Sequence, residues 1–217
     1  MILKRIGLSL FALTTLGILA AAAVYPAAFA NLLNLNTFFP KEGPFTALHS
    51  HFAARVGNQD WAFLAHVCGA MVALALGPFQ FWTWLRDRHP RLHRRLGYAY
   101  FCGIFVGGIG GLLSAREAWG GTAAQTGFAL LAVCWLASSG RGLSLIRKGK
   151  VEDHQRWMRL SFAVTLAGVS LRIQMPLLYM AGFPEILVYQ TVAWSCWVPQ
   201  ILWWIGTNQT SGRKWSY

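Results

Sequence analysis

Charge is scarce in this sequence and negative charge scarcest: Asp, Glu, Lys and Arg make up 12% of the 217 residues, and only 7 of them are carboxylates. Soluble domains carry roughly 25% charged residues, so the polar surface is too small to hold this chain in water. The sequence has no HExxH pair and no Ser-His-Asp arrangement, which leaves hydrolytic chemistry without support. Its 4 cysteines, Cys68, Cys102, Cys134 and Cys196, sit singly inside apolar runs with no CxxC spacing. They read as small buried hydrophobes, not as a disulfide framework or a thiolate metal site.

What is abundant is apolar: 55% of the residues are hydrophobic, with 11 Trp and 14 Phe. Runs of about 20 apolar residues, the length that crosses a hydrocarbon core of roughly 30 Å, recur along the chain. They predict an all-α, polytopic integral membrane bundle of about six transmembrane helices. The net charge of +12 does not point to nucleic acid, because the cations lie in short segments between apolar runs. There they act as topology signals and meet anionic lipid headgroups.

Residues 1–30 begin with Lys4 and Arg5 and contain Ala28-Phe29-Ala30, features of a secretory signal. The apolar core is longer than the roughly 7–15 residues of a signal's central region, so this stretch is read as a first transmembrane helix, an uncleaved signal anchor. Residues 31–60 read as a periplasmic loop with a short amphipathic helix near 45–56. A five-helix membrane core is predicted over 61–206, with spans near 61–85, 89–115, 123–146, 160–181 and 184–205. Residues 207–217 form a tail.

Lys and Arg decide the orientation. Arg86, Arg88, Arg91, Arg94 and Arg95 cluster between the second and third spans, and Arg147, Lys148, Lys150, Arg156 and Arg159 between the fourth and fifth. The opposite side holds only Lys41, Arg55 and Arg116. The positive-inside rule then puts both termini and both basic turns in the cytoplasm of a bacterial inner membrane. Small residues recur every fourth position at Gly103, Gly107 and Gly111, and at Gly69, Ala73 and Gly77. That spacing predicts close packing of the second span on the third.

Four residues are candidates for chemistry: His66, His93, His154 and Arg172. Arg172 lies in the fifth apolar run, where an ionisable group usually faces the bundle interior and has a partner. Counted from the run's centre near Ser170 it is about 3 Å off, but counted from His154 it is about 27 Å across. A snorkelling arginine and a buried ligand-binding one therefore both remain open. His66 is the one histidine deep in a span, about 10 Å outward of its helix centre. With Gln125, Gln174 and Gln190 it would line an outer cavity for an anionic or quinone-like ligand.

His93 and His154 each open a helix after a basic turn, and a bis-histidine pair on facing helices is one way to hold haem iron. With His66 paired to His49 or His51 on the other side, the arrangement would resemble the transmembrane di-haem cytochromes b. The candidate cofactor is then haem b, with His66, His93 and His154 as iron ligands and a quinone or redox protein as partner. Zinc held by His89, His93 and His154 is a weaker alternative, because Pro90 disturbs the helix that would align the first two.

Together, His66, Gly77-Pro-Phe-Gln-Phe81, Arg88-His-Pro-x-x-His93-Arg-x-x-Gly97 and His154-x-x-Trp157-Met-Arg159 resemble the uncharacterised bacterial inner-membrane family called domain of unknown function 2306. The resemblance spans roughly residues 61–204, and Arg172 fits its pattern. It implies a multi-pass helical membrane protein and brings no reaction with it. Three functions stay open: haem or quinone binding linked to electron transfer, a small-anion carrier using the Arg172 and His66 cavity, and a non-catalytic scaffold or assembly factor.

Overall fold

A computed structural model describes residues 46–58 and 60–209, the side chains of 49, 208 and 209 excepted. The expected first span and most of the tail lie outside the described residues. Within them the fold is all-α, without a strand.

The helices are α1 (Thr46–Gly57), α2 (Trp61–Gln80), α3 (Thr83–Arg88), α4 (Pro90–Ser114), α5 (Gly121–Arg147), α6 (Val151–Thr165), α7 (Ala167–Met180), α8 (Glu185–Ser195) and α9 (Val198–Gln209). A 3-10 turn, Ala115–Glu117, extends α4. Four helical stretches are long and apolar enough to cross a membrane: Trp61–Gln80, Pro90–Glu117, Gly121–Arg147 and Val151–Met180. Many of their outward residues are large and apolar, among them Phe105, Leu130, Val133 and Ile173. A surface of that kind suits hydrocarbon and not water.

The helix ends differ from the sequence expectation where proline intervenes. The second span stops at Gln80, not near 85, where the Phe81 and Trp82 amides turn back to the Pro78 and Phe79 carbonyls three residues behind them. Pro90 starts α4 at the position proline suits. The last expected span is broken at Cys196 and Trp197, just before Pro199, into pieces of 11 and 12 residues. The fifth begins at Val151, earlier than the expected 160, and His154 lies in its first turn, opening a helix as expected.

The small-residue pattern has the predicted result, with a shift of register. A Cβ on Gly69 would run into the Gly103 carbonyl and the Gly107 backbone, and one on Gly110 would come 2.6 Å from the Ala62 carbonyl. The seam on α4 is therefore Gly103, Gly107 and Gly110. Gly111 faces His66 instead, with its would-be Cβ 2.6 Å from the imidazole Nδ1. Around this pair, α5 packs on α4 and α6, α8 on α5 and α7, and α9 on α6.

The short helix expected near 45–56 is present as α1, and it is tied down at both ends. The Leu48 amide donates to Glu185 Oε1 at 3.0 Å, and Leu48 is fully buried against Val188, Val192 and Met175. At the other end the nearly buried Arg55 binds Asp60 through Nε and Nη2, reaches the Ser114 carbonyl at 3.3 Å and lies 5.1 Å over the Phe63 ring. Asp60 also caps α2, accepting from the Phe63 amide at 3.0 Å. Burial alone would raise the Asp60 pKa, but the Phe63 amide and the Arg55 guanidinium outweigh it and hold the carboxyl below its usual value.

Two stability predictions follow from these contacts. Gly69→Ala should destabilise by about 1–3 kcal/mol through overpacking. Gly140→Ala, whose new Cβ would meet nothing within 4 Å, should be neutral or stabilise by up to about 1 kcal/mol. Thermal unfolding of both in one detergent checks the contrast, and equal shifts would remove the seam. Asp60→Ala should cost roughly 2–4 kcal/mol at neutral pH, since a helix cap is lost and a buried cation loses its partner. Because the folded carboxyl is depressed, its contribution is complete above the unfolded value near about 4 and disappears as pH falls through the folded value. The gap between the parent protein and Asp60→Ala should close over that acid range.

Candidate functional site

A cavity of about 300 Å³ lies among α1, α2, α4, α5, α6, α7 and α8, with both His66 and Arg172 on its wall. Its polar groups are few. Arg55, Ser114, Thr165, Trp135, Tyr189 and Cys196 join His66 and Arg172, while Phe52, Phe63, Met71, Leu74, Phe128, Leu131 and Val164 supply apolar wall. Among the described residues no carboxylate lines it. Along α2 the lining runs from Phe63 to Leu74, about 16 Å at 1.5 Å per residue. The Leu48–Glu185 bond puts the starts of α1 and α8 at one end of the bundle. The wall is thus an elongated apolar slot with its cations toward that end.

His66 is oriented by the seam beneath it. Its Nδ1 lies 2.8 Å from the Gly107 carbonyl, and a carbonyl oxygen only accepts, so Nδ1 carries the hydrogen. The ring edge meets Trp135 at 6.4 Å between centroids, and Nε2 has no protein hydrogen bond among the described residues.

Arg172 is closer to the end of its helix than the midspan reading had it. With the helical stretch running from Val151 to Met180, its centre is near Leu166 and Arg172 is about 10 Å beyond it. The side chain is exposed, and one guanidinium nitrogen donates to the Gly168 carbonyl at 2.8 Å. The expected glutamines do not join the site. Gln174 binds Ser170 and Ser195, and Gln190 donates to the Gly120 carbonyl at 2.8 Å, so these two fasten helices together. Gln125 is not on the cavity wall.

His51 does not line the cavity that holds His66. It packs near Glu117 and Arg55, and burial together with the Arg55 cation holds its imidazole below the usual value. The His49 side chain lies outside the described residues.

At the other end of the bundle, His93 and His154 are near enough for their charges to interact. His154 Nδ1 lies 2.8 Å from the Gly142 carbonyl, which leaves Nε2 with the lone pair of the neutral ring. His93 Nδ1 is buried without a hydrogen-bond partner. His89 instead packs on Trp84, 5.0 Å between ring centroids. Among the described residues no three His, Cys, Asp or Glu side chains gather as a zinc site would need.

Sequence reasoning missed a polar chain behind the cavity. The Trp135 indole donates to Thr165 Oγ1 at 2.8 Å, and Thr165 donates to the Ser161 carbonyl at 2.9 Å. Ser139 donates to the Trp135 carbonyl at 2.7 Å, so Ser161 donates to Ser139 at 2.8 Å and accepts from the Tyr100 hydroxyl at 3.0 Å. The available signal was the spacing of Ser161 and Thr165, one turn apart on α6 within an apolar run. Arg55 was also missed as a site residue; Asp60, five positions on, was its sign.

Comparison with known proteins gives one result. Neither the curated proteins nor the solved structures contain a match to this chain. A family model described as a predicted membrane protein, DUF2306, matches residues 63–204. That interval runs from the cavity edge of α2 through both histidine-bearing motifs and Arg172 into α9, and the chain belongs to this membrane protein family.

Proposed function

We propose that this protein is a multi-pass protein of the bacterial inner membrane that binds a quinone-like molecule in the His66–Arg172 cavity, in support of electron transfer across the bilayer. The observation that carries this reading is the composition of that one cavity. It places a histidine and two arginines, with Ser114 and Thr165, on the wall of a slot that is otherwise mostly aliphatic and aromatic. Pockets for ring-bearing ligands have this character, apolar walls with a few convergent polar groups. A small hydrated anion fits less well, since it would lose its water against apolar side chains with little to replace it. Under the positive-inside orientation the cavity lies toward the periplasmic leaflet and the His93–His154 pair toward the cytoplasm.

Titration of a short-chain quinone into the detergent-purified protein, followed by calorimetry, tests the reading. Saturable binding is expected, and Arg172→Gln should weaken it by about 10- to 150-fold through loss of a charged hydrogen bond. Binding that never saturates, or an affinity unchanged in Arg172→Gln, removes it.

A second reading concerns the opposite end. Metal-ligating histidines usually donate their other ring nitrogen to a carbonyl or carboxylate, which fixes the tautomer. His154 does so to Gly142, and His93 is close by with a buried, unpartnered nitrogen. These two residues would hold haem b, and the group when bound would supply one-electron chemistry. At the His66 end no second histidine among the described residues lines the cavity, so this reading is confined to the His93–His154 end. Protein from haem-replete cells should show a Soret band that His154→Ala abolishes. A featureless spectrum, oxidised and reduced, removes this reading and leaves the cavity untouched.

A further inference from the structure

The orientation of His66 bears on which ligand the cavity prefers. Its Nδ1 hydrogen is committed to the Gly107 carbonyl, and the neutral ring then presents Nε2 as an acceptor alone. Among the described residues nothing on the cavity wall favours the charged ring: none of them there is a carboxylate, and Arg55 and Arg172 are both cations. The Asp60 carboxylate is taken up by Arg55. Arg172, which donates to the Gly168 carbonyl, stands on the same wall with Arg55, so the polar end sets one fixed acceptor beside two cations.

We infer that His66 is a specificity residue that selects the hydroxylated, hydroquinone-type form of a lipid-soluble ring ligand, accepting a hydrogen bond from its hydroxyl at Nε2. The inference rests on the quinone-like reading above and narrows it to the hydrogen-donating form. A carbonyl or ether oxygen placed at Nε2 would set two acceptors against each other and leave both unpaired, while a hydroxyl satisfies both. Gly111 is a positioning residue for this contact. A Cβ there would come 2.6 Å from Nδ1 and 3.1 Å from Cε1, so any larger side chain must push the ring off the Gly107 carbonyl. The aromatic wall at Phe63, Phe128 and Trp135 suits a ring at that depth.

The test uses the unmodified protein and matched ligands of equal tail length under argon: a hydroquinone, its dimethyl ether and the corresponding quinone. The hydroquinone should bind about 5- to 150-fold more tightly than the ether, the loss that one unpaired buried hydrogen-bonding group brings. His66→Phe, which keeps a ring but no acceptor, should erase the preference, and Gly111→Ala should reduce it. Equal binding of hydroquinone and ether by the unmodified protein overturns the inference while leaving the cavity reading intact. A preference that survives in His66→Phe is steric and overturns it too. If none of the three ligands binds, the cavity reading falls and this inference with it.

Discussion

The close approach of α2 and α4 is the contact on which the rest of the structure depends. Helices in lipid gain little from excluding water, because hydrocarbon solvates leucine as well as a neighbouring helix does. What holds them is van der Waals contact, and that needs backbones near each other. Gly69 set against Gly103 and Gly107, and Gly110 against Ala62, supply it. A consequence lies one turn along α2, where the narrow gap brings the Gly107 carbonyl within 2.8 Å of His66 Nδ1. The packing seam therefore also orients the imidazole that lines the cavity.

A second constraint is the accounting of polar groups where no water can reach them. An unpaired hydroxyl or indole in an apolar interior costs about 1–3 kcal/mol by protein mutational measures. The Tyr100–Ser161–Ser139 chain meets this by direction: each hydroxyl donates to the next, and the last donates to the Trp135 carbonyl. Closing the chain on a backbone acceptor leaves every donor used, and it ties α4, α5 and α6 together by specific bonds where dispersion alone would let them slide. Arg55 meets the same demand at the bundle's end with Asp60, the Ser114 carbonyl and the Phe63 face.

Much of this was legible in the order of residues. Apolar run length located the long helices, glycine spacing paired α2 with α4, and Pro90 placed the start of α4. The failures were of kinds that periodicity does not report. Pro199 divides the last apolar run although its composition continues unbroken, and the fifth helix starts at Val151, well before the apolar run near 160 that marks it in the sequence. His66 and Arg172 were singled out for their depth, and both do line one cavity. The glutamines assigned beside them turn elsewhere, because hydrogen bonds between neighbouring helices depend on rotation about each helix axis. Arg55 was counted as a topology charge, and its burial follows from a tertiary contact with Ser114 that sequence spacing does not show.

One device occurs twice, and it links packing to chemistry. At one end His66 takes the carbonyl of Gly107; at the other His154 takes the carbonyl of Gly142. Both glycines are places where a Cβ would collide with a packed neighbour, Gly107 with the Ala70 amide at 2.9 Å and Gly142 with Met158 Sδ at 2.7 Å. Without a side chain, a helix bares its backbone to the partner lying on it, and a bared carbonyl is a strong, rigid acceptor. An imidazole held there is fixed in tautomer and in plane by a group that cannot rotate away. The lone pair of its other nitrogen is then free for a ligand, and its direction costs no further side-chain ordering when that ligand arrives.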